Sequence, residues 1–269
     1  MIGVDCGSSF TDVVVFKEGR LKSTFSIPSS DFSLGVFNSF VKSLGNNRDS
    51  VVATGSRVKT SILLKRKKAE LVDEIESIAA GARFLTGKKD FVVANVGTGT
   101  PIVQVEGFEF KHLGGTGVGG GTLDGLSRLL LGLRKVDGLE SLALKGSNVL
   151  DLSVREAVGG SVGRIPPNAT AGNFAKVFST RKVSPEDVAF SITNMVGEVV
   201  GMTTCIAANG AGKQFVVFTG RTVARNALLR RRIKLVCDLF GLKCLFPKNG
   251  EFCTALGAVI AASEKKQKR

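Results

Sequence analysis

Apolar positions along the chain switch between two periods, and the switching follows the same plan twice. Short apolar runs at residues 2–5, 12–17 and 21–26, separated by turns at Gly7 and Gly19, predict a β-meander. The spacing then predicts a helix over residues 33–44, a strand over 51–54 that ends at Gly55, and a second helix over 71–85. From Asp90 the plan restarts. Strands are predicted over 91–96, 102–105 and 108–111, followed by helices over 122–133 and 139–145. After a Pro- and Gly-rich loop over 159–172 come a long helix over 186–209, a strand over 215–218, a helix over 223–239, a strand over 243–246 and a closing helix over 255–263. This alternation predicts an α/β protein with largely covered sheets, in two related halves, residues 1–89 and 90–269, hinged about a cleft.

The two halves carry matching small-residue loops. The first, Asp5, Cys6, Gly7, Ser8, Ser9, Phe10 and Thr11, turns from one strand straight into the next, so that backbone N–H groups and hydroxyls can converge on phosphate oxygens. Gly7 removes a Cβ where backbone approaches a ligand, and Asp5 supplies a carboxylate suited to Mg²⁺. Read alone, this is also an ordinary hairpin turn. The second loop, Asn95 to Thr100, holds the equivalent place in the second half, and a facing pair of such loops would clamp a triphosphate. A third element, Gly114 to Thr122, leads into a helix and offers donors at its N-terminus. It lacks the Gly-Lys-Ser/Thr of a Walker A loop and the preceding long parallel strand of a dinucleotide fingerprint. A fourth, at Gly220 and Arg221 with Asn226 at the start of the next helix, breaks a strand where an adenosine could lie.

Helical phase separates three carboxylates in the helix predicted over 71–85. At about 100° per residue, Leu71, Ile75, Ile78, Ala82 and Leu85 share one face; Glu74 falls roughly 60° from its centre, and Asp73 and Glu76 roughly 140° to 160° away. Glu74 therefore borders the buried face, where a partly desolvated carboxylate can accept a proton from an attacking hydroxyl. A boundary residue paired with a lysine is the structural alternative.

Composition narrows the class. The chain has 269 residues, 43% apolar, without an unbroken apolar stretch of the roughly 18 to 20 residues that span a bilayer; with no signal-peptide pattern at its start, a cytoplasmic protein is expected. Cys6, Cys205, Cys237, Cys244 and Cys253 form no CxxC pair and read as reduced, mostly buried small hydrophobes. The net charge of +14 raises the question of nucleic acid. The basic runs Lys65 to Lys68, Arg230 to Arg232 and Lys265 to Arg269 lack interleaved aromatics for base stacking, which favours solvated helix faces and no nucleic-acid partner.

Taken in order, the opening Gly3 to Ser9, the helix with Glu74, Ala94 to Thr100, Gly114 to Thr122, Asp151 to Arg155, Asn173 to Lys176, Gly197 to Val200 and Asn226 to Arg230 resemble the type II and eukaryotic-like pantothenate kinases. These are a branch of the superfamily that includes actin, hexokinase and the heat-shock chaperone ATPases. The resemblance covers almost the whole chain and implies a duplicated ribonuclease H-like (actin-like ATPase) fold with two lobes around a nucleotide cleft. The second lobe would carry helical insertions for dimerisation and substrate. It also implies phosphorylation of the primary hydroxyl of pantothenate by MgATP, the first step of coenzyme A synthesis, in a homodimer.

On this resemblance Glu74 matches the catalytic base. The segments Asp5 to Asp12, Thr98, Gly120, Gly121, Thr122, Leu123 and Asp124, and Gly220 with Arg221, match ATP-binding positions, while Thr116, Gly117 and Arg128 fall near the substrate pocket. Three positions depart from the family pattern. Asp12 stands where a lysine is frequent, removing a positive charge from the triphosphate side. His112 stands where arginine is common, replacing a permanently charged fork by an imidazole, and is assigned to substrate contact. Val136 lies where relatives can carry an aromatic ring, and no role is carried onto it. Another small-molecule kinase of this fold, an activator ATPase of acyl-CoA dehydratases, and a non-catalytic nucleotide-binding regulator are the competing readings.

Overall fold

A computed structural model describes residues 1–43, 50–57, 69–133 and 137–267. The basic run at Lys65 to Lys68, the predicted helix end at Leu44, Val136 and the last two residues lie outside that range.

The two apolar patterns produce two sheets of identical strand order. In the first, β1 (Ile2–Cys6), β2 (Phe10–Lys17) and β3 (Arg20–Pro28) form an antiparallel meander; β4 (Val51–Thr54) then joins β1 in parallel and β5 (Ala69–Leu71) joins β4 in parallel. In the second, β6 (Asp90–Asn95), β7 (Thr100–Glu106) and β8 (Glu109–Thr116) repeat the meander. Further along the chain, β11 (Phe215–Thr219) and β12 (Lys243–Leu245) add in parallel beyond β6. Both sheets run third, second, first, fourth, fifth strand, which is the duplication that the sequence predicts. The β2–β3 turn forms because Glu18 and Gly19 both adopt positive φ, 53° and 70°, a conformation that matches the twist of the hairpin.

Helices cover the sheets. α1 (Leu34–Ser43) packs Phe37 beneath the first sheet, and α2 (Glu74–Thr86) buries Ile78, Ala79 and Ala82 against Phe91, Val93 and Val103 of the second. α3 (Gly120–Leu131) and α4 (Asp137–Ala143) precede a small ribbon of β9 (Leu152–Ser153) and β10 (Thr170–Gly172) with the one-turn α5 (Val154–Val158) between them, none of which the apolar pattern reveals. α6 (Pro185–Gly210) is long and apolar enough to cross a membrane, but 61% of its apolar window is buried inside the protein, where Ile192, Val196 and Val200 join the second-lobe core.

The helix expected over 223–239 is two helices. α7 (Arg221–Ala224) stops at Arg225, and the Asn226 side chain accepts the Leu229 N–H at 2.8 Å to begin α8 (Ala227–Leu239) afresh. The arginine run inside α8 is also less solvated than expected. Arg230 donates to the carbonyls of Val223 and Ala224, and Arg232 reaches Glu198 at 3.5 Å, leaving only Arg231 of the three exposed.

The closing helix α9 (Cys253–Gln267) returns to the first sheet, so the packing does not divide at residue 89 as the sequence does. Small residues allow the approach. A Cβ at Gly3 would meet the Ala255 carbonyl at 2.2 Å, one at Gly81 the Cys253 carbonyl at 2.1 Å, and one at Gly257 the Ser77 carbonyl at 1.7 Å. At Gly81 and Gly257, α2 and α9 thus pack backbone against backbone.

Candidate active site

Where β1 and β6 end, their loops meet. Ser9 Oγ lies 3.0 Å from Thr98 Oγ1, joining the first loop to the second, and Ser8 Oγ lies 3.2 Å from Ser56 Oγ. Between the lobes opens a cavity of about 1290 Å³. Its wall includes Asp5, Gly7, Ser8, Ser9, Phe10 and Asp12 from the first loop and strand, Glu74 from α2, Thr98, His112, Thr116 and Gly117 from the second meander, Gly120, Gly121, Leu123 and Asp124 from α3, and Gly220 and Arg221 at α7. Cys6, Thr11, Thr122 and Arg128 are outside the wall. Cys6 and Thr11 are buried beneath the first loop, the Thr122 hydroxyl accepts the Gly119 N–H at 3.2 Å, and Arg128 is exposed on α3 a turn beyond Asp124.

Asp5 is the most constrained acid in the cleft. Its Oδ1 is inaccessible to solvent and has no hydrogen-bond partner among the described residues. Burial first, and then the negative charges of Asp12 and Glu74, push its carboxyl well above the usual aspartate range. Gly55, with φ of 102°, lies so close that a Cβ there would stand 2.3 Å from Asp5 Oδ1, so strand β4 closes off that side.

Glu74 owes its place to the start of α2. Leu71 belongs to β5 and is exposed, not to the helix face on which the phase argument placed it. The helix begins after Asp73, whose carboxylate accepts the N–H groups of Ile75 and Glu76 at 2.9 and 3.2 Å. Glu74, the first helical residue, faces the cleft, while Glu76 turns away to Lys265 at 2.7 Å. Burial, with the Asp73 charge second, raises the pKa of Glu74 above the ordinary glutamate value. That is the direction in which a carboxylate becomes a better proton acceptor.

The glycine run before α3 does a different job from the anion cradle expected of it. Gly120 N–H donates to the Gly97 carbonyl at 2.7 Å and Gly121 N–H to the Thr98 carbonyl at 3.0 Å. Thr122 and Leu123 donate back to Gly119, both at 3.1 Å. The first-turn donors are therefore used within the protein. The glycines are needed because a Cβ at Gly119 would come within 2.9 Å of both the Gly97 and Thr98 carbonyls. The run presses α3 onto the second loop and holds Thr98 toward Ser9.

Arg221 crosses the cleft. Its guanidinium pairs with Asp12 at 2.5 Å, contacts the Ser26 hydroxyl and lies 4.1 Å from the centre of the Phe10 ring. Burial raises the pKa of Asp12 in spite of Arg221, whose charge opposes the rise. The charge missing at position 12 is thus met by an arginine from the other lobe. Arg221 Nε is buried and without a partner among the described residues.

Sequence reasoning missed part of the wall. Thr254 and Glu251 come from the start of the last helix and the turn before it, and Glu140 from α4, where it accepts the Ala227 N–H at 2.5 Å. Nothing in the local pattern marks these positions. Asn95 sits beneath the second loop, accepting from Thr219 at 3.0 Å and donating to Thr254 at 3.4 Å.

Two duplicated lobes closing on one cleft define a protein of the actin-like ATPase fold. The Fumble family model matches residues 86–261, and the chain belongs to the Fumble family. Among curated relatives, the type II pantothenate kinase of Bacillus cereus (strain G9842) is 28% identical over 98% of this chain and 98% of its own. That of Staphylococcus haemolyticus (strain JCSC1435) is 28% identical over 96% of this chain and 98% of its own. Among solved structures, the activator of the 2-hydroxyisocaproyl-CoA dehydratase from Clostridium difficile with bound ADPNP has a TM-score of 0.70 at 19% identity, covering 99% of this chain and 97% of that one. A ROK family glucokinase from Streptomyces griseus in complex with glucose and AMPPNP has a TM-score of 0.61 at 14% identity, covering 96% and 97%.

Proposed function

We propose that this chain is an ATP-dependent pantothenate kinase, with Glu74 as the general base. The observation that carries the reading is the convergence, in one cavity, of two duplicated phosphate-type loops, an orphaned buried carboxylate at Asp5 and a partly desolvated carboxylate at Glu74. Family membership and full-length relatives named type II pantothenate kinase supply the substrate.

In this reading the loops at Gly7 to Phe10 and Gly97 to Thr98 straddle the triphosphate, and the cleft beside Gly220, Arg221 and Asn226 takes the adenosine. Glu74 accepts the proton of the pantothenate primary hydroxyl as its oxygen attacks the γ-phosphorus, and the bond to the β–γ bridging oxygen breaks to release ADP. His112, Thr116 and Gly117 line the part of the cavity assigned to pantothenate. Asp5 is the residue that would hold a divalent cation, which would offset the repulsion from Asp12 and Glu74 that helps raise its pKa; Asp12 itself is taken up by Arg221. Bound there, Mg²⁺ would neutralise charge developing on the phosphate oxygens. The exposed apolar side chains Leu129 and Leu130 on α3 and Met202 and Ile206 on α6 support a homodimer. A cytoplasmic location follows from the need for the ATP pool.

The test is ADP release by the purified protein with MgATP and a panel of pantothenate, pantetheine and N-acetylglucosamine. Pantothenate-dependent turnover is expected. Robust turnover of another panel member without it would overturn the substrate assignment, and sedimentation at the assay concentration checks the dimer.

A further inference from the structure

Glu140 lies on α4 and lines the cavity in company with Asn226 and Thr222. Its neighbours pin it: Leu139 and Ala143, on either side along α4, are fully buried in the second-lobe core. One oxygen of the carboxylate is committed. Oε1 accepts the Ala227 N–H, the first of α8, at 2.5 Å, and the side chain makes no other hydrogen bond or ion pair among the described residues. Glu140 is half-buried, and Oε2 carries lone pairs that no described residue uses.

The same bond excludes one kind of ligand. α8 starts with two of its N-terminal donors already taken, the Ala227 N–H by Glu140 and the Leu229 N–H by the Asn226 side chain at 2.8 Å. A helix start capped in this way, with a negative charge upon it, repels a phosphate that an open helix start would receive. An ionised carboxylate is an acceptor only, so its partner must bring donors and no negative charge. Two adjacent hydroxyls meet both conditions.

We propose that Glu140 binds the ribose of the nucleotide, accepting hydrogen bonds from the vicinal 2′- and 3′-hydroxyls, and so makes the site selective for ribonucleotides. The inference rests on the reading that the adenosine lies beside Gly220, Arg221 and Asn226; Glu140 is held at that end because the N–H it accepts belongs to the residue after Asn226. Dinucleotide-binding folds hold a ribose hydroxyl with an acid in the same way. Here the acid comes from a helix fixed in the core, and its distance from the first loop is bridged by the ligand alone. The charge of Glu140 also orients the nucleotide, because repulsion turns the triphosphate away from α4 and toward the loops at Gly7 to Phe10 and Gly97 to Thr98.

The experiment is calorimetric titration of the full chain, in the presence of Mg²⁺, with ADP and separately with 2′,3′-dideoxyADP, for the wild type, Glu140→Gln and Glu140→Ala. The wild type should bind ADP roughly tenfold or more tightly than the dideoxy compound, as expected for hydrogen bonds to a charged acceptor. Glu140→Gln keeps an oxygen for the Ala227 N–H and loses the charge, and should cut that ratio by roughly threefold or more. Glu140→Ala should bring the two affinities to within about twofold of each other. The ratio separates contact from structure, because a loosened start of α8 weakens both ligands alike, and Glu140→Gln carries the test alone if Glu140→Ala does not fold. Equal binding of the two ligands by the wild type, or an unchanged ratio in Glu140→Gln, overturns the ribose contact and leaves the kinase reading standing. Absence of ADP binding by the wild type overturns both, whereas selective ADP binding without pantothenate turnover supports the ribose contact and strikes only the substrate assignment.

Discussion

Asp12 of the first sheet and Arg221 at the start of α7, 209 positions apart in sequence, are joined by a 2.5 Å ion pair across the cleft. Both side chains are mostly buried, 10% and 16% exposed, so removing one leaves the other poorly solvated. Asp12→Asn and Arg221→Gln should each lower stability by roughly 3 kcal/mol, and the double variant should lose far less than the sum. A urea-unfolding double-mutant cycle measures this, and additive losses would remove the pair as a link between the lobes.

Glu74→Gln keeps the size and the helix position but cannot accept a proton. Turnover should fall by about 10² to 10⁴ while ATP binding, followed by calorimetry, stays within a few-fold of wild type. Near-normal turnover would remove Glu74 as the base.

The pH dependence should carry the mark of Asp73. Because Glu74 is raised by burial and by the Asp73 charge, the acid limb of kcat/KM should lie above the roughly 4.3 of an ordinary glutamate. Asp73→Asn retains a side-chain oxygen able to cap α2 but removes that charge. The limb should then move to lower pH with the fold intact by circular dichroism. An unmoved limb would mean that another group titrates there.

Asp5 tests the cation site without relying on activity. A carboxyl with a folded pKa above its unfolded value binds protons more tightly in the folded state, so stability is lost as pH rises through the window from the unfolded value near 3.8 upward. Asp5→Asn, measured without Mg²⁺ at pH 7, should therefore be at least as stable as wild type. Wild-type Tm should rise with added Mg²⁺, whereas the Tm of Asp5→Asn should not. An equal rise in both would show that the metal binds elsewhere.

Gly257→Ala tests the packing that sets Glu74 in place. Its Cβ would fall 1.7 Å from the Ser77 carbonyl, so α9 and α2 must separate. A loss of about 1 to 3 kcal/mol is expected, with a fall in kcat because α2 carries Glu74. A neutral effect on both would show that the helices move apart freely.

The paired meanders, the two glycine loops and most helices were legible in the sequence, because apolar period and turn chemistry are local. The order of strands within each sheet, and the short β5 (Ala69–Leu71) that completes the first, came only from the structure. Phase also singled out Glu74, though for an incomplete reason: the helix starts at Glu74, and the Asp73 cap, rather than a face shared with Leu71, sets its direction. The short β9, α5 and β10 carried too few residues to show a period. Asn226 read as a helix start, as the cap bond to Leu229 shows it to be, but apolar spacing continues across it and ran the two helices together as 223–239.

What the sequence determined by itself is the pair of small-residue loops, one in each half, and the alternation that builds a sheet behind each. Only the tertiary structure decided what those loops do to each other. Ser9 meets Thr98, the glycines before α3 spend their N–H groups on the second loop, and Arg221 supplies the charge that Asp12 does not. Each of these depends on backbones and charges brought together from distant parts of the chain, where burial sets the strength of the contact and no local pattern records the partner.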